Sequence, residues 1–244
     1  MRTLYGLGYS GWTEKARWAL EHHRVPYRYR EHTPLLGEPA LRWRTPRGVH
    51  PSVPLLVDEG GALTGSFVIA KRAEALGQGA PLFPPEATDT ISRWEDTSER
   101  VLRVGRAQVV AALLHNPRAQ VESLPAFLPG WLRGLLAPSA RMGAHFIARK
   151  HRAASDVASA IQETVVPALE QLRAELGGRP YLRDDLTYAD ITAAAMLQLA
   201  RPVDDRYMPL GPGTREVWTN ESLAARFPDL LAWRDALYAK HRKP

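Results

Sequence analysis

The sequence contains no cysteine, which excludes disulfide bonds, thiolate metal sites and cysteine nucleophiles. It also lacks any apolar run long enough to cross a bilayer, because charged residues interrupt every apolar stretch. The first residues lack the apolar core and small-residue cleavage site of a secretory signal peptide. Together these absences predict a cytoplasmic protein with no metal and no membrane partner.

A concentrated patch of one charge is missing as well, although the formal net charge is +6 and the sequence pI is about 9.8. Basic residues are spread along the chain and interleaved with acidic ones, as in residues 14–17. The densest basic cluster, residues 149–152, is short enough to be a solvated helix face. This pattern argues against a nucleic-acid partner and favours a small anionic ligand.

The opening of the chain predicts a strand, a tight turn and a helix. A short apolar segment at residues 3–7 stops at glycine, Ser10 follows, and an amphipathic run begins over residues 11–23. The N-terminus of a helix carries unpaired N–H groups and the positive end of the macrodipole, so it stabilises an anion. Ser10 can therefore cap this helix or donate a hydrogen bond to a bound anion, and both interpretations stay open here.

The first third of the chain alternates strand and helix patterns in the order β-α-β, an irregular stretch, then β-β-α. This order predicts a small α/β unit with a mixed sheet. The predicted strands are residues 3–7, 27–31, 54–57 and 62–64, and the predicted helices are residues 11–23 and a second one that begins at Ser66.

A Pro- and Gly-rich segment, residues 78–87, breaks all periodicity and separates this unit, residues 1–77, from the rest. Residues 88–244 have helical patterns throughout, which predicts a larger all-α domain. Its predicted helices lie within residues 89–115, 140–176, 186–199 and 228–241, with loops and short helical turns at residues 116–138 and 202–220.

Four segments, in this order, resemble motifs of the cytosolic glutathione transferase superfamily, of its serine-type, bacterial-like branch. Residues 10–17, Ser-Gly-Trp-Thr-Glu-Lys-Ala-Arg, are similar to its [SC]-P-F-x-x-[KR]-x-R helix start. Residues 51–56 are similar to its V-P-x-L element, residues 63–69 to L-x-[ED]-S-x-x-I, and residues 186–194 to the [ST]-x-A-D box. The resemblance implies a thioredoxin-like N-terminal domain followed by an all-helical C-terminal domain.

The resemblance also implies a site for glutathione as co-substrate. Its catalytic group would be the hydroxyl of Ser10, with Tyr9 as the alternative donor. The other implied contacts are Trp12 at the family's aromatic position, Val53 with a cis Pro54 facing the cysteinyl backbone, Gly65 and Ser66 at the γ-glutamyl end, and His50 with Arg47 at the glycyl carboxylate.

Two positions depart from the family pattern. Gly65 stands where an acid usually contacts the glutamyl amine, and the stretch between Pro46 and Val53 is longer than usual. Both bear on glutathione affinity. A non-catalytic ligand-binding or scaffold protein with the same fold is therefore the alternative function.

The implied reaction is attack by the glutathione thiolate on a small hydrophobic electrophile, as in detoxification by alkyl or aryl transfer. A homodimer is implied as well. Conjugation, isomerisation, dehalogenation and peroxide reduction all remain open, whereas a mixed disulfide on the enzyme is excluded because the chain has no cysteine. The electrophile pocket would include Gly8 and Tyr9 and draw on residues that core packing explains equally well, namely Trp94, Val101, Val104, Phe127 and Trp131.

Overall fold

The computed structural model describes residues 1–34, 36–124 and 156–243. Its sheet has four strands in the order β2-β1-β3-β4. β1 pairs parallel with β2 and antiparallel with β3, and β3 pairs antiparallel with β4. This mixed sheet confirms the predicted α/β unit. The strands are β1 (Thr3–Gly6), β2 (Arg28–Glu31), β3 (Leu55–Asp58) and β4 (Gly61–Thr64).

The sheet follows from local patterns in the sequence. In β1, Leu4 and Gly6 are buried while their neighbours are partly exposed, which is the alternation of a strand with one covered face. The tight turn between β3 and β4 closes where the N–H of Gly60 donates to Oδ1 of Asp58 at 2.7 Å. Arg72 of the following helix donates to Oδ2 of Asp58 at 2.8 Å and so fastens the turn.

Helices account for more than half of the other residues that the structure describes. Predicted segments 11–23, 89–115 and 228–241 correspond to helices within one or two residues of their predicted ends, and segment 186–199 ends in a 3₁₀ turn, Leu197–Leu199. In chain order the helices are α1 (Gly11–His22), α2 (Glu38–Arg44), α3 (Ser66–Leu76), α4 (Thr88–Leu113), α5 (Pro117–Glu122), α6 (Val157–Ala160), α7 (Val166–Leu176), α8 (Tyr188–Met196), α9 (Pro212–Trp218), α10 (Glu221–Arg226) and α11 (Pro228–His241).

The stretch between β2 and β3 was predicted to be irregular, yet it contains α2. Its sequence has no apolar periodicity because Leu41 is the only residue of α2 that is buried. Segment 140–176, which is predicted to hold one or two helices, lies partly outside the described residues. Its described part contains α6 and α7 with a π-type turn, Ile161–Val165, between them.

By backbone proximity the chain divides into two compact units. One comprises Met1–Ser98, Gly178–Ala195 and Asp235–Pro244, and the other comprises Glu99–Gly177 and Met196–Arg234. All the predicted glutathione-site residues belong to the first unit. The predicted domain boundaries at residues 77 and 88 remain a prediction.

The N-terminal half of α1 is anchored by two buried ion pairs. The ammonium group of Lys15 donates to both carboxylate oxygens of Glu95, at 3.0 and 2.9 Å, and the hydroxyl of Thr192 donates to the same carboxylate at 2.7 Å. Glu14 accepts a hydrogen bond from Nε of Arg242 at 2.7 Å. The motif at residues 10–17 therefore contains two charges that hold the helix in place.

His23, at the C-terminal end of α1, makes the stability of the fold depend on pH. Its ring is buried, and Nε2 lies 3.5 Å from a carboxylate oxygen of Glu74. Burial, reinforced by the neighbouring His22, lowers the pKa of His23 in spite of the opposing Glu74 charge. The folded state consequently disfavours the imidazolium form.

We expect the free energy of unfolding to fall as the pH drops below about 6.5, the value for an unfolded histidine. In that range the unfolded chain binds a proton at His23 before the folded chain does, so protons favour unfolding. Urea titrations at several pH values from 8 to 5 measure this slope. A His23→Gln variant should flatten it and a His115→Gln variant, at an exposed position, should not; equal slopes in all three proteins would contradict the assignment.

Candidate glutathione site

Ser10 occupies the N-cap position of α1, but its hydroxyl makes no capping hydrogen bond. Its backbone is extended, with φ −85° and ψ 126°, and its carbonyl accepts the N–H of Glu14 at 2.9 Å. The side chain is 8% exposed. The carbonyl contact is the first hydrogen bond of the helix itself. The hydroxyl caps no amide of the first turn and is left for another hydrogen bond.

The loop that carries Ser10 is held by hydrogen bonds on several sides. The N–H of Leu7 donates to Oγ1 of Thr13 at 3.1 Å, the N–H of Gly8 donates to Oε1 of Glu31 at 3.0 Å, and the N–H of Ser10 donates to the carbonyl of Leu7 at 2.9 Å. Glycine is required at Gly6, since a Cβ there would lie 2.4 Å from the methyl group of Thr13. Sequence reasoning missed the role of Thr13 and of Glu31.

Tyr9, the alternative hydroxyl donor, precedes Ser10 in this loop and is partly exposed. Burial by the surrounding protein, followed by the charge of Glu31, raises the pKa of Tyr9 to about 12. Its phenol therefore keeps its proton at neutral pH.

The peptide bond between Val53 and Pro54 is cis, as the resemblance implied. Pro54 is buried just before β3, and its carbonyl accepts the N–H of Gly65 at 3.3 Å. Val53 lies outside the strand ladder, and among the described residues its N–H and carbonyl have no hydrogen-bond partner. Its backbone is free to pair with an extended peptide.

Gly65 and Ser66 form the start of α3. Gly65, the N-cap residue, has φ +90° and ψ 134°, a backbone conformation that other residues rarely adopt. Open space surrounds the position of a Cβ there, so conformation rather than crowding accounts for the glycine. Ser66 is 2% exposed and begins the helix with the N-terminal amides.

Sheet register brings these segments to one end of the sheet. The pair Tyr5↔Leu55 sets the end of β1 beside the start of β3, and the pair Leu55↔Thr64 sets the end of β4 beside the same point. The loop of Ser10, the Val53–Pro54 bond and the start of α3 therefore emerge together. These three segments are the ones at which the resemblance places the thiol, the cysteinyl backbone and the γ-glutamyl end of glutathione.

The family assignment rests on two domain models. The model of the glutathione S-transferase N-terminal domain matches residues 4–81, and that of the glutathione S-transferase C-terminal domain matches residues 147–236. Together they cover about two thirds of the chain. The chain belongs to the glutathione S-transferase superfamily. Its fold is accordingly a thioredoxin-like N-terminal domain with a small mixed sheet, followed by a helical C-terminal domain.

Solved glutathione S-transferases share the fold. One from Methylobacillus flagellatus with glutathione bound matches with a TM-score of 0.60 and 19% identity, over 98% of this chain and 95% of that chain. One from Methylobacterium radiotolerans, in complex with glutathione sulfonate, has a TM-score of 0.62 and 17% identity, over 99% and 94%. One from Pseudomonas fluorescens has a TM-score of 0.59 and 18% identity, over 100% and 97%. No protein of curated function matches this chain.

Three further residues of the predicted glutathione site are at least partly exposed. His50 and Arg47 are exposed in the segment between α2 and β3, and Trp12 is partly exposed in the first turn of α1. None of these positions tests the contacts with glutathione that the family implies, which remain predictions.

The C-terminal residues predicted to line an electrophile pocket divide into three groups. Trp94 and Val101 are fully buried, which agrees with core packing, and Val104 is partly exposed. Phe127 and Trp131 lie outside the described residues, as does the basic cluster at residues 149–152.

Two further observations concern only the part of the chain that the structure describes. There, no group of three or more histidine, aspartate or glutamate side chains is arranged to hold a metal ion. None of the helices there combines the length and apolar composition needed to cross a membrane.

Proposed function

We propose that this protein is a glutathione transferase in which the hydroxyl of Ser10 stabilises the thiolate of bound glutathione. The observation that carries the proposal is the hydroxyl itself, which lies at the N-terminus of α1 and makes no capping hydrogen bond. The glutathione bound to the Methylobacillus flagellatus relative and the glutathione sulfonate bound to the Methylobacterium radiotolerans relative support the choice of co-substrate.

The physical task of the site is to favour the anion of a thiol whose unperturbed pKa is about 8.5. A hydrogen bond from Ser10 stabilises the thiolate more than the thiol, because bonds to a charged acceptor are the stronger ones. The amides and dipole at the start of α1 act in the same direction. Both effects lower the pKa of the thiol toward neutral pH.

Other groups would position the rest of the glutathione molecule. The free backbone of Val53 would pair with the cysteinyl residue, as a strand is added to a sheet edge. Ser66 and the amides at the start of α3 would bind the γ-glutamyl carboxylate, while His50 and Arg47 would bind the glycyl carboxylate.

In the reaction the thiolate sulfur attacks an electrophilic carbon of a small hydrophobic substrate. A carbon–sulfur bond forms, the leaving group departs with its electron pair, and the thiol proton passes to solvent. A homodimer, a cytoplasmic location and a role in detoxification belong to the same proposal, as do the domain boundaries at residues 77 and 88.

Replacing Ser10 with alanine is the direct test. We expect kcat/KM for a reactive aryl halide to fall about 10- to 100-fold, because a hydrogen bond to a charged acceptor is lost. Folding should change little, since the serine hydroxyl makes no capping bond to lose.

Tyr9→Phe is the matched control, because it removes the neighbouring hydroxyl and leaves Ser10. Steady-state kinetics of both variants decide between the two donors. Full activity in the Ser10→Ala variant would refute the assignment, and a loss confined to Tyr9→Phe would transfer the role to Tyr9.

The second candidate function is a non-catalytic protein that binds ligands with the same fold, and Gly65 favours it. The backbone at Gly65 suits glycine, so the usual acid that contacts the glutamyl amine is missing. Titration calorimetry with glutathione separates the two functions. Binding in the micromolar to low millimolar range supports the transferase, and no measurable binding supports the alternative.

A further inference from the structure

Glu31, the last residue of β2, reaches from its strand to the loop that carries Ser10. One carboxylate oxygen accepts the N–H of Gly8 at 3.0 Å, and the other accepts the hydroxyl of Tyr29 at 2.7 Å. Gly8 lies two residues before Ser10. Glu31 lies outside the motif at residues 10–17, and the reaction proposed above gives it no role.

The backbone holds Glu31 firmly against the end of β1. The two strands pair in parallel with Gly6 opposite Glu31, and the N–H of His32 donates to the carbonyl of Gly6 at 2.7 Å. The carboxylate is thereby placed beside the loop by the sheet itself. Its bond to Gly8 acts with the bonds of Leu7 and Ser10 to determine the conformation of the loop.

The negative charge of Glu31 acts on the same loop. It contributes to the raised pKa of Tyr9, the residue next to Ser10, with burial as the larger cause. A charged group of opposite sign lies close by: the guanidinium of Arg17 in α1 lies over the ring of Tyr29 at 5.2 Å. A carboxylate next to this loop opposes the formation of a thiolate there.

We propose that Glu31 is a positioning residue for the transferase reaction: its hydrogen bond to Gly8 orders the loop that presents Ser10, and its charge limits the fraction of bound glutathione present as thiolate. The inference rests on the proposed function. It predicts that the hydrogen bond raises kcat/KM and that the charge lowers it. A residue with only a structural role would not show these opposite effects.

Three variants separate the two effects. Glu31→Gln keeps an acceptor for Gly8 and removes the charge. Glu31→Ala removes both, and Tyr29→Phe removes a partner of Glu31 while keeping its charge. The ultraviolet absorbance of the thiolate as a function of pH gives the pKa of bound glutathione in each protein, and kcat/KM for a reactive aryl halide is measured over the same range.

In Glu31→Gln we expect the thiol pKa to fall by about 0.5, on the order of the Coulomb interaction of a solvent-exposed charge several ångströms away. Below that pKa, kcat/KM should rise about threefold, the same shift expressed as a population of thiolate. In Glu31→Ala, kcat/KM should fall below wild type although the charge is gone, and Tyr29→Phe should keep the wild-type thiol pKa. The proposal would be overturned if both Glu31→Gln and Glu31→Ala had the same thiol pKa and the same kcat/KM as wild type.

Amide hydrogen exchange at Gly8 tests the positioning role without any reaction. Exchange should be several-fold faster in Glu31→Ala than in wild type and close to wild type in Glu31→Gln. Equal exchange in all proteins would overturn this role. If wild type itself binds no glutathione, the proposed function is wrong, and so is the proposed effect of Glu31 on the thiol. If wild type is active and the Glu31 variants behave as it does, only the role of Glu31 is refuted.

Discussion

Replacing Arg242 with methionine is expected to lower the free energy of unfolding by about 3–5 kcal/mol, the cost of breaking a buried ion pair by removing one partner. The side chains of Arg242 and Glu14 are only 1% and 2% exposed. Nε of Arg242 donates to Glu14 at 2.7 Å, a second nitrogen donates to the same carboxylate at 3.3 Å, and a third contacts Glu21. Burial disfavours the guanidinium charge, yet these carboxylates raise the pKa of Arg242 above its ordinary value.

Urea unfolding followed by circular dichroism measures this loss. Arg226→Met is the matched control, because Arg226 pairs with Glu170 on the surface, where the two side chains are 49% and 41% exposed. Its effect should therefore be far smaller. Adding Glu14→Gln to Arg242→Met should restore part of the stability by removing the unpaired buried charge. Equal stabilities for the two arginine variants would contradict the prediction.

The Arg242 contact also bears on the candidate site. Glu14 lies in the first turn of α1, and its N–H donates to the carbonyl of Ser10. A carboxylate left unpaired at this point would loosen the turn that presents the hydroxyl. We therefore expect Arg242→Met to lower kcat/KM as well as the free energy of unfolding.

Asp190→Ala is expected to cost about 3 kcal/mol of stability, because it leaves three buried donors unsatisfied. Asp190 accepts the N–H of Leu182 at 2.8 Å, the N–H of Thr187 at 2.8 Å and the hydroxyl of Thr187 at 3.0 Å. Burial raises the pKa of Asp190 although these three hydrogen bonds oppose the shift. Asp190 thus ties the loop that contains Leu182 to the start of α8, so its replacement should cost more than the loss of an isolated helix cap.

Thermal unfolding of Asp190→Ala can be compared with that of Asp156→Ala. Asp156 caps α6 through the N–H and hydroxyl of Ser159, at 2.9 and 2.6 Å, but it is exposed, so its replacement should have a much smaller effect. A fall in melting temperature for Asp190→Ala no larger than that for Asp156→Ala would show that burial adds nothing to the cap.

Much of the architecture could be predicted because its signals are local. The alternation in β1, the turn after Asp58 and the serine before α1 are each written within a few residues. α2 escaped prediction because its single buried residue leaves no periodic apolar face. The order of helices and strands was predictable, and the exact ends were less so, since end residues depend on contacts outside the element.

The sequence by itself determined the family, the mixed sheet, and the set of residues at which glutathione is proposed to bind, since these depend on motifs and short-range patterns. Only the tertiary structure decided that the hydroxyl of Ser10 makes no capping bond, that Gly65 adopts a conformation typical of glycine, and that Glu31 supports the loop. Arg242 contacts Glu14 across 228 residues of sequence, and Glu31 reaches Gly8 across 23. Such pairings are set by how strands and helices pack in three dimensions, and no local pattern in the chain encodes them.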